Sequence, residues 1–215
     1  MDKKIVTKGI CYRCKEVVTK RGAKSHIDKC FSLSEADAAN AFLVKAQWPH
    51  KNPIYWLYLA VPFKSTLEDL DDLLRETWLE CCSHLSQFEI SNERFSSYCE
   101  PGNYSSNEES SMSISCKKVL APGLKFTHEY DFGSTTELSL EVVGLIKTEN
   151  PKKIRIIIRN QEPEFECSRC DEKAVMICAY EGDLLCESCA EEGDDESYLL
   201  PLVNSPRTGV CGYTG

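Results

Sequence analysis

Cysteine and histidine residues at metal-ligand spacing are the strongest chemical signal in this sequence. Near the N-terminus the pattern is Cys-x2-Cys-x11-His-x3-Cys, and after residue 160 it is Cys-x2-Cys-x15-Cys-x2-Cys. Two cysteines three positions apart lie on a tight turn that points both thiolates at one ion, and zinc prefers thiolate and imidazole ligands in a tetrahedron. The sequence therefore predicts two zinc ions per chain, bound by Cys11, Cys14, His26 and Cys30 in the first site and by Cys167, Cys170, Cys186 and Cys189 in the second.

Both predicted sites are structural, because four protein ligands leave no open position on a tetrahedral ion. Redox chemistry by a Cys-x-x-Cys pair is the alternative, but such motifs occur singly and in a βαβ context. Cys178 has no assigned role. Two interpretations of Cys211 remain open: it replaces a zinc ligand, or it is a free thiol. Two interpretations of the tail around Cys211 also remain open: it folds back on the second zinc module, or it is a frayed terminus.

The cysteine usage also indicates a cellular compartment. The first residues lack an apolar run of signal-peptide length, and no stretch reaches the about 18 apolar residues that a membrane span needs. We therefore expect a cytoplasmic protein without a membrane partner. In a reducing compartment, 13 cysteines sorted into Cys-x-x-Cys pairs indicate metal binding rather than disulfides.

No arrangement in the sequence predicts catalysis or a small-molecule substrate. The phosphate-binding G-x-x-x-x-G-K-[ST], the nucleophilic G-x-S-x-G and the metalloprotease His-Glu-x-x-His are all missing. His128 shares a strand face with Phe126 and Tyr130 and is interpreted as a core histidine, while His50 and His84 have no companion motif. The protein is expected not to be an enzyme, with a recombinase or nuclease as the less favoured alternative.

Charge is distributed unevenly along the chain, whose net charge is −9. Residues 1–30 carry nine Lys or Arg against three acids, whereas residues 161–215 carry three against thirteen. The acidic end suits a basic protein partner, and the basic end leaves nucleic-acid binding through residues 1–30 open as the alternative. The candidate phosphate contacts are Lys15, Lys20, Arg21, Lys24 and Lys29.

These sites need elements to position them, and the clearest is a hairpin over residues 124–146. Apolar and polar residues alternate from Leu124 to Asp131, and the alternation resumes at Leu138 after a turn. We expect an amphipathic helix capped by Ser65 and Glu68, a buried strand over 54–63, a strand over 85–90 with Leu85 inward, and a charged edge strand over 152–160. Residues 91–115 are predicted to be an exposed insertion.

The motif Tyr-Asp-Phe-Gly at residues 130–133 stands at the end of an aromatic strand. Earlier in the chain come, in order, a Val-Pro strand, a helix and a His-Leu-Ser-Gln-Phe segment. In this order the motifs resemble the plasmid pRiA4b ORF-3-like family over about residues 50–160. The resemblance implies an α+β domain of unsettled function in proteins encoded on plasmids and beside transposon genes. It therefore implies a prokaryotic, mobile-element-associated protein.

The predicted fold class is α+β, with a small mixed sheet packed on one main amphipathic helix and flanked by two zinc modules. The predicted function is a non-enzymatic adaptor with two structural zinc sites. The predicted domains are a C2HC-type zinc finger (1–33), a linker helix (34–49), the pRiA4b ORF-3-like domain (50–161), a four-cysteine zinc ribbon (162–197) and a turn-rich tail (198–215).

Overall fold

The computed structural model describes residues 5–31, 39–50, 53–98, 110–149, 151–192 and 198–215. It is a mixed α+β structure with one large sheet, one small sheet and few helices. The strands are β1 (Lys8–Cys11), β2 (Val17–Thr19), β3 (Ala41–Gln47), β4 (Trp56–Pro62), β5 (Ser86–Ile90), β6 (Glu93–Ser96), β7 (Ser110–Ser111), β8 (Lys125–Tyr130), β9 (Thr136–Ile146), β10 (Arg155–Asn160), β11 (Met176–Cys178), β12 (Leu184–Leu185) and β13 (Leu199–Pro201). The helices are α1 (Ala23–Cys30), α2 (Leu67–Leu74), α3 (Cys116–Val119) and α4 (Glu187–Glu191), and a π-helical turn (Arg75–Leu79) extends α2.

The large sheet has ten strands in the order β2-β1-β10-β4-β3-β9-β8-β5-β6-β7. Its pairs are antiparallel except β6 with β7, so the predicted mixed sheet is present but is not small. The additional width comes partly from the N-terminal strands, because β1 pairs with β10 through Gly9 opposite Asn160. The N-terminal finger is therefore continuous with the main sheet.

The predicted hairpin is confirmed as β8 and β9. His128 lies opposite Leu138, and Tyr130 lies opposite Thr136. The side chains of Phe126, His128 and Tyr130 are buried while the intervening residues are half-buried, so the alternation read from the sequence corresponds to two faces of a strand. This hairpin carries the Tyr-Asp-Phe-Gly motif at its turn.

The linker helix predicted over residues 34–49 is wrong where the structure describes it. Residues 41–47 form β3, which pairs with β4 on one side and β9 on the other. Residues 34–38, where the predicted helix would begin, lie outside the described residues. The apolar positions Phe42, Leu43 and Ala46 resemble a helix face, but in a central strand both faces are buried, so the period-two alternation is lost.

Three smaller predictions also differ from the structure. Strand β10 is not an edge, because it lies between β1 and β4. Leu85 precedes β5 and is 46% exposed, and Ser86 takes the buried position instead. The predicted insertion contributes β6 and β7 to the sheet, with Phe95 and Met112 in the core.

The sheet carries apolar clusters on both faces. Leu57 and Leu59 of β4 join the side chains of α2 and the π-helical turn in one cluster, whereas Trp56 and Tyr58 join Ile27 of α1 in the other. Because neighbouring strand residues point to opposite faces, α2 covers one face and the finger helix covers the other. Helix α2 begins with a capping box one residue later than predicted, between Thr66 and Asp69.

The small sheet has the order β12-β11-β13 and forms the C-terminal module. Strands β11 and β12 form a hairpin between the two cysteine pairs, with Met176 opposite Leu185. Strand β13 pairs with β11 through Leu200 opposite Ile177, so the start of the tail folds back on this module.

Candidate metal centres

The first centre lies where the β1–β2 hairpin meets helix α1. Cys11 ends β1, Cys14 follows on the turn, and His26 and Cys30 lie one helical turn apart on α1. All four ligand atoms lie within 4.8 Å of one another, and Cys14 Sγ is 3.4 Å from His26 Nε2. A tetrahedral zinc with bonds of about 2.3 Å to sulfur and about 2.0–2.1 Å to nitrogen places these two atoms about 3.6 Å apart, so the residues fit the ion.

The surroundings of His26 suit a metal ligand. Its Nδ1 lies 3.5 Å from the Glu16 carboxylate, while Nε2 faces the thiols. A carboxylate on the far nitrogen of a ligating histidine fixes the tautomer and the orientation of the ring. Glu16 therefore has the position of an outer-sphere partner.

The second centre is made of two cysteine turns beside the small sheet. Cys167 and Cys170 precede β11, while Cys186 and Cys189 lie at the start of α4. The ligand atoms again lie within 4.8 Å of one another. Cys170 Sγ is 3.6 Å from Cys186 Sγ and 3.7 Å from Cys189 Sγ. Zinc with four bonds of about 2.3 Å to sulfur has edges of about 3.8 Å, so this set also fits the ion.

Within each centre the cysteine thiols have different pKa values, because they lie close to one another and to backbone N–H groups. Burial opposes ionisation of Cys167, but hydrogen bonds from the backbone N–H groups of Arg169 and Cys186 lower its pKa to about 6. The hydrogen bond with Cys186 raises the pKa of Cys189 to about 12. In the first centre, burial and a hydrogen bond with Cys14 raise the pKa of Cys30 to about 11. Several thiolates cannot share so small a volume without a cation, which a divalent metal supplies.

The structure thus brings together each of the two predicted ligand sets. The twelve cysteines in the described part of the chain are all free, with no disulfide among them.

A third cluster was not predicted from the sequence. Cys81, Cys82 and His84 lie in the loop between the π-helical turn and β5, and Cys211 of the tail joins them. These ligand atoms also lie within 4.8 Å of one another. The available signal was Cys-Cys-x-His within four residues, but the fourth member is 127 residues away from His84.

The candidate phosphate contacts do not all point to solvent. Lys20 donates to the backbone carbonyl of Pro53, and Lys24 is paired with Asp28 at 2.5 Å. Desolvation, with the nearby charge of Lys45, lowers the pKa of Lys20 to about 8. The remaining three are exposed: Lys15, Arg21 and Lys29.

The C-terminal module presents a different surface. Tyr180 is 84% exposed and Tyr198 is 50% exposed, and their ring centroids lie 6.0 Å apart. Among the described residues of this module, the exposed acids are Glu162, Glu164, Glu166, Asp171, Glu172, Glu181, Glu187, Glu191 and Glu192. The exposed aromatic pair therefore belongs to a module whose described exposed charges are mostly acidic.

The remaining histidine of interest is buried as predicted. His128 has no exposed surface, and its Nε2 lies 2.6 Å from Asp71 Oδ1. The other carboxylate oxygen of Asp71 accepts from the hydroxyl of Ser86 at 2.9 Å. His128, Asp71 and Ser86 are all buried, so the group belongs to the core, and Arg75 Nη1 lies 3.6 Å from Asp71 Oδ2 at its margin.

Residues 40–170 match the sequence profile described as "Plasmid pRiA4b ORF-3-like protein". This match covers more than half of the chain, and the chain belongs to that family. No curated protein matches the chain. Among solved structures, the chain is similar to the protein of unknown function MM3350 from Methanosarcina mazei Go1, at 13% identity and a TM-score of 0.48, over 59% of this chain and 70% of that one. No helix among the described residues is long and apolar enough to cross a membrane.

Proposed function

We propose that this protein is a non-enzymatic adaptor, held together by structural zinc, that binds a basic protein partner through its C-terminal module. The observation that carries this proposal is the exposed Tyr180–Tyr198 pair on a module whose described exposed charges are mostly acidic. On the family resemblance, we associate the protein with the mobile elements of a prokaryote, and on its free cysteines in metal-ligand pairs we propose a reducing compartment, the cytoplasm.

The proposed zinc role rests on the completeness of the ligand sets. In the first two centres, four side chains from the chain itself supply a full tetrahedron, and a complete set favours a structural ion over a catalytic one. The residues holding the ions would be Cys11, Cys14, His26 and Cys30, and Cys167, Cys170, Cys186 and Cys189. Such an ion contributes folding free energy to modules with little apolar core of their own.

The proposed partner follows from the chemistry of the surface. Tyrosine is enriched among the residues that dominate binding energy at protein interfaces, and here two of them project from the same module. The excess of carboxylates on this module repels phosphate and attracts Lys and Arg. The matching partner is a protein segment that presents an apolar side chain flanked by basic residues.

The test uses the full-length protein and a fluorescent peptide containing Arg and Leu, with a Glu and Leu peptide as charge control. Tyr180→Ala should weaken binding of the basic peptide about tenfold, the size expected for a central interface tyrosine. Tyr12→Ala is the matched control, because Tyr12 is also exposed but lies on the finger. Equal binding by wild type and Tyr180→Ala, or equal binding of both peptides, would overturn the proposal.

A second candidate function, nucleic-acid binding by the finger, is supported by the exposure of Lys15, Arg21 and Lys29. Its contacts would be electrostatic and therefore strongly dependent on salt. The Lys15→Glu/Lys29→Glu double variant should abolish binding of a duplex or single-stranded oligonucleotide if this candidate is right. Wild-type protein that binds neither oligonucleotide at low salt removes it.

A further inference from the structure

The third cluster joins two segments that are far apart in the chain. Cys81, Cys82 and His84 come from the loop that leaves the π-helical turn, and Cys211 comes from the C-terminal tail. His84 Nε2 lies 3.4 Å from Cys211 Sγ, the same separation as between His26 and Cys14 in the first centre. Tetrahedral zinc places a ligating sulfur and nitrogen about 3.6 Å apart, so this pair has the spacing of two ligands on one ion.

The loop is held in place without any contribution from the tail cysteine. The backbone N–H groups of Cys81 and His84 both donate to the hydroxyl of Tyr130 at 3.3 Å. Ser83, between them, adopts a left-handed conformation and donates its N–H to Glu80 at 2.6 Å. The main chain therefore orients the three side chains before a fourth ligand arrives.

The tail is held by contacts of its own. Ser205 donates its hydroxyl to the backbone carbonyl of Trp78 at 2.5 Å, and Arg207 is fully buried against the turn of the central hairpin. Beyond it the chain turns through the left-handed residues Gly209, Cys211 and Gly212, which places the Cys211 thiol above the loop. Two independently anchored segments converge on one point, which is the preorganisation that a metal site requires.

The charges around the cluster suit a cation bound by several thiolates. Three thiolates, a neutral imidazole and a divalent ion carry one net negative charge. The guanidinium of Arg207 lies 4.8 Å from the centroid of the Tyr130 ring, whose hydroxyl is 3.9 Å from the Cys81 thiol, so a positive charge lies near the cluster. The Asp131 carboxylate lies 3.6 Å from His84 Nε2 and is itself paired with Arg207.

We propose that Cys81, Cys82, His84 and Cys211 bind a third thiophilic divalent ion of the zinc type, which fastens the C-terminal tail to the core sheet. The donor set, three thiols and one imidazole, is the same as in the finger. Hard cations such as Mg²⁺ and Ca²⁺ prefer oxygen ligands, so the site selects against them. Cys82 and Cys211 are exposed, which gives the ion a path of entry from solvent.

The first test is the metal content of full-length protein purified with reductant, measured by native mass spectrometry and elemental analysis. Zinc-loaded wild type should carry one ion for each of the three clusters. Cys211→Ser and Cys82→Ser should each lose one ion. Cys178→Ser is the matched control, because Cys178 is in none of the clusters, and it should keep the wild-type number.

The second test uses only the wild-type protein, so it remains valid if the cysteine variants do not fold. Zinc-loaded wild type is treated with N-ethylmaleimide before and after chelation, and the modified cysteines are identified by mass spectrometry. Metal ligation should slow modification of Cys82 and Cys211 about tenfold or more, because the free thiolate is the nucleophile.

Two results would overturn the proposal. One is Cys211→Ser protein that retains as many ions as the wild type. The other is wild type in which Cys82 and Cys211 react equally fast with and without chelator, or form a disulfide in the presence of reductant. Both leave the finger and ribbon sites standing, since Cys14→Ser and Cys170→Ser report on those separately.

Discussion

Arg207 Nη2 donates to Asp131 Oδ2 at 2.5 Å, so a residue of the C-terminal tail neutralises the aspartate of the Tyr-Asp-Phe-Gly turn. The guanidinium also donates to the carbonyl of Ser134 and the hydroxyl of Thr136, and it lies 4.8 Å from the Tyr130 ring centroid. Arg207 has no exposed surface. The family motif and the tail are therefore parts of one buried polar cluster, and the tail completes the core domain.

Removing this guanidinium should be costly. Arg207→Ala leaves Asp131 buried without its partner, and breaking such a pair costs about 3–5 kcal/mol. The measurement is the free energy of unfolding from urea denaturation of zinc-loaded protein. Arg94→Ala is the control, because its pair with Glu89 is exposed and 3.9 Å long and should contribute less than about 1 kcal/mol. Equal losses in the two variants would contradict the buried role of Arg207.

The buried pair of Asp71 and His128 makes a different prediction. With 2.6 Å between Asp71 Oδ1 and His128 Nε2, Asp71→Leu strands the buried imidazole, whereas His128→Leu leaves Asp71 still paired with Ser86 and Arg75. Asp71→Leu should destabilise the protein by about 3–5 kcal/mol, and His128→Leu should destabilise it less. The Asp71→Leu/His128→Leu double variant should lose less than the sum of the single losses, because His128 is no longer left unpaired, while Ser86 and Arg75 lose Asp71 equally in the single and the double variant. Urea denaturation of all four proteins completes the cycle, and additive losses would show that the two side chains act independently.

Local patterns predicted the elements of this fold better than they predicted its assembly. The β8–β9 hairpin and both Cys-x-x-Cys centres depend on residues close in sequence, and the spacing alone indicated them. Strand β3 was misjudged because burial on both faces removes the alternation that identifies a strand. The third cluster was missed because Cys211 and His84 are 127 residues apart in sequence and meet where the tail packs on the hairpin turn, a tertiary contact that local spacing does not indicate.

The half-buried Lys20 predicts a pH dependence. Desolvation lowers its pKa in the folded protein to about 8, against about 10.4 in the unfolded chain. The folded state therefore disfavours the charged lysine, and this penalty is fully present at pH 7 and disappears as the pH rises from about 8 to about 10.4. Relative to wild type, Lys20→Met should be most stable at pH 7 and lose its advantage over this range.

The measurement is the free energy of unfolding of wild type, Lys20→Met and Lys29→Met between pH 7 and pH 10.5 at fixed zinc concentration. Lys29→Met controls for net charge, because Lys29 is an exposed lysine of the same finger. Tyrosines that ionise in this range are common to all three proteins and cancel in the differences. A difference between wild type and Lys20→Met that does not change with pH would contradict the desolvation of Lys20.

The close approach of the finger to the core is set by Gly9. A Cβ at this position would lie 2.5 Å from Cη2 of Trp56 and 2.8 Å from Cγ2 of Ile158, both of which are buried beneath the finger. Gly9→Ala should therefore force β1 away from β10 and destabilise the protein by about 1–3 kcal/mol, the usual cost of overpacking. Gly133→Ala is the matched control, since its Cβ would meet only an ordinary contact of 3.4 Å with Asp131.

The location of the destabilisation shows whether the finger is part of the main sheet or folds as an independent module. If β1 is part of the main sheet, Gly9→Ala should lower the urea midpoint of the whole domain and speed amide exchange in both β10 and β1, because the two strands share hydrogen bonds. Accelerated exchange confined to the finger, with β10 and the urea midpoint unchanged, would mean that the finger folds separately from the sheet. We expect β1 and β10 to unfold together, because β1 is paired within the main sheet and Trp56 lies in one apolar cluster with Ile27 of the finger helix.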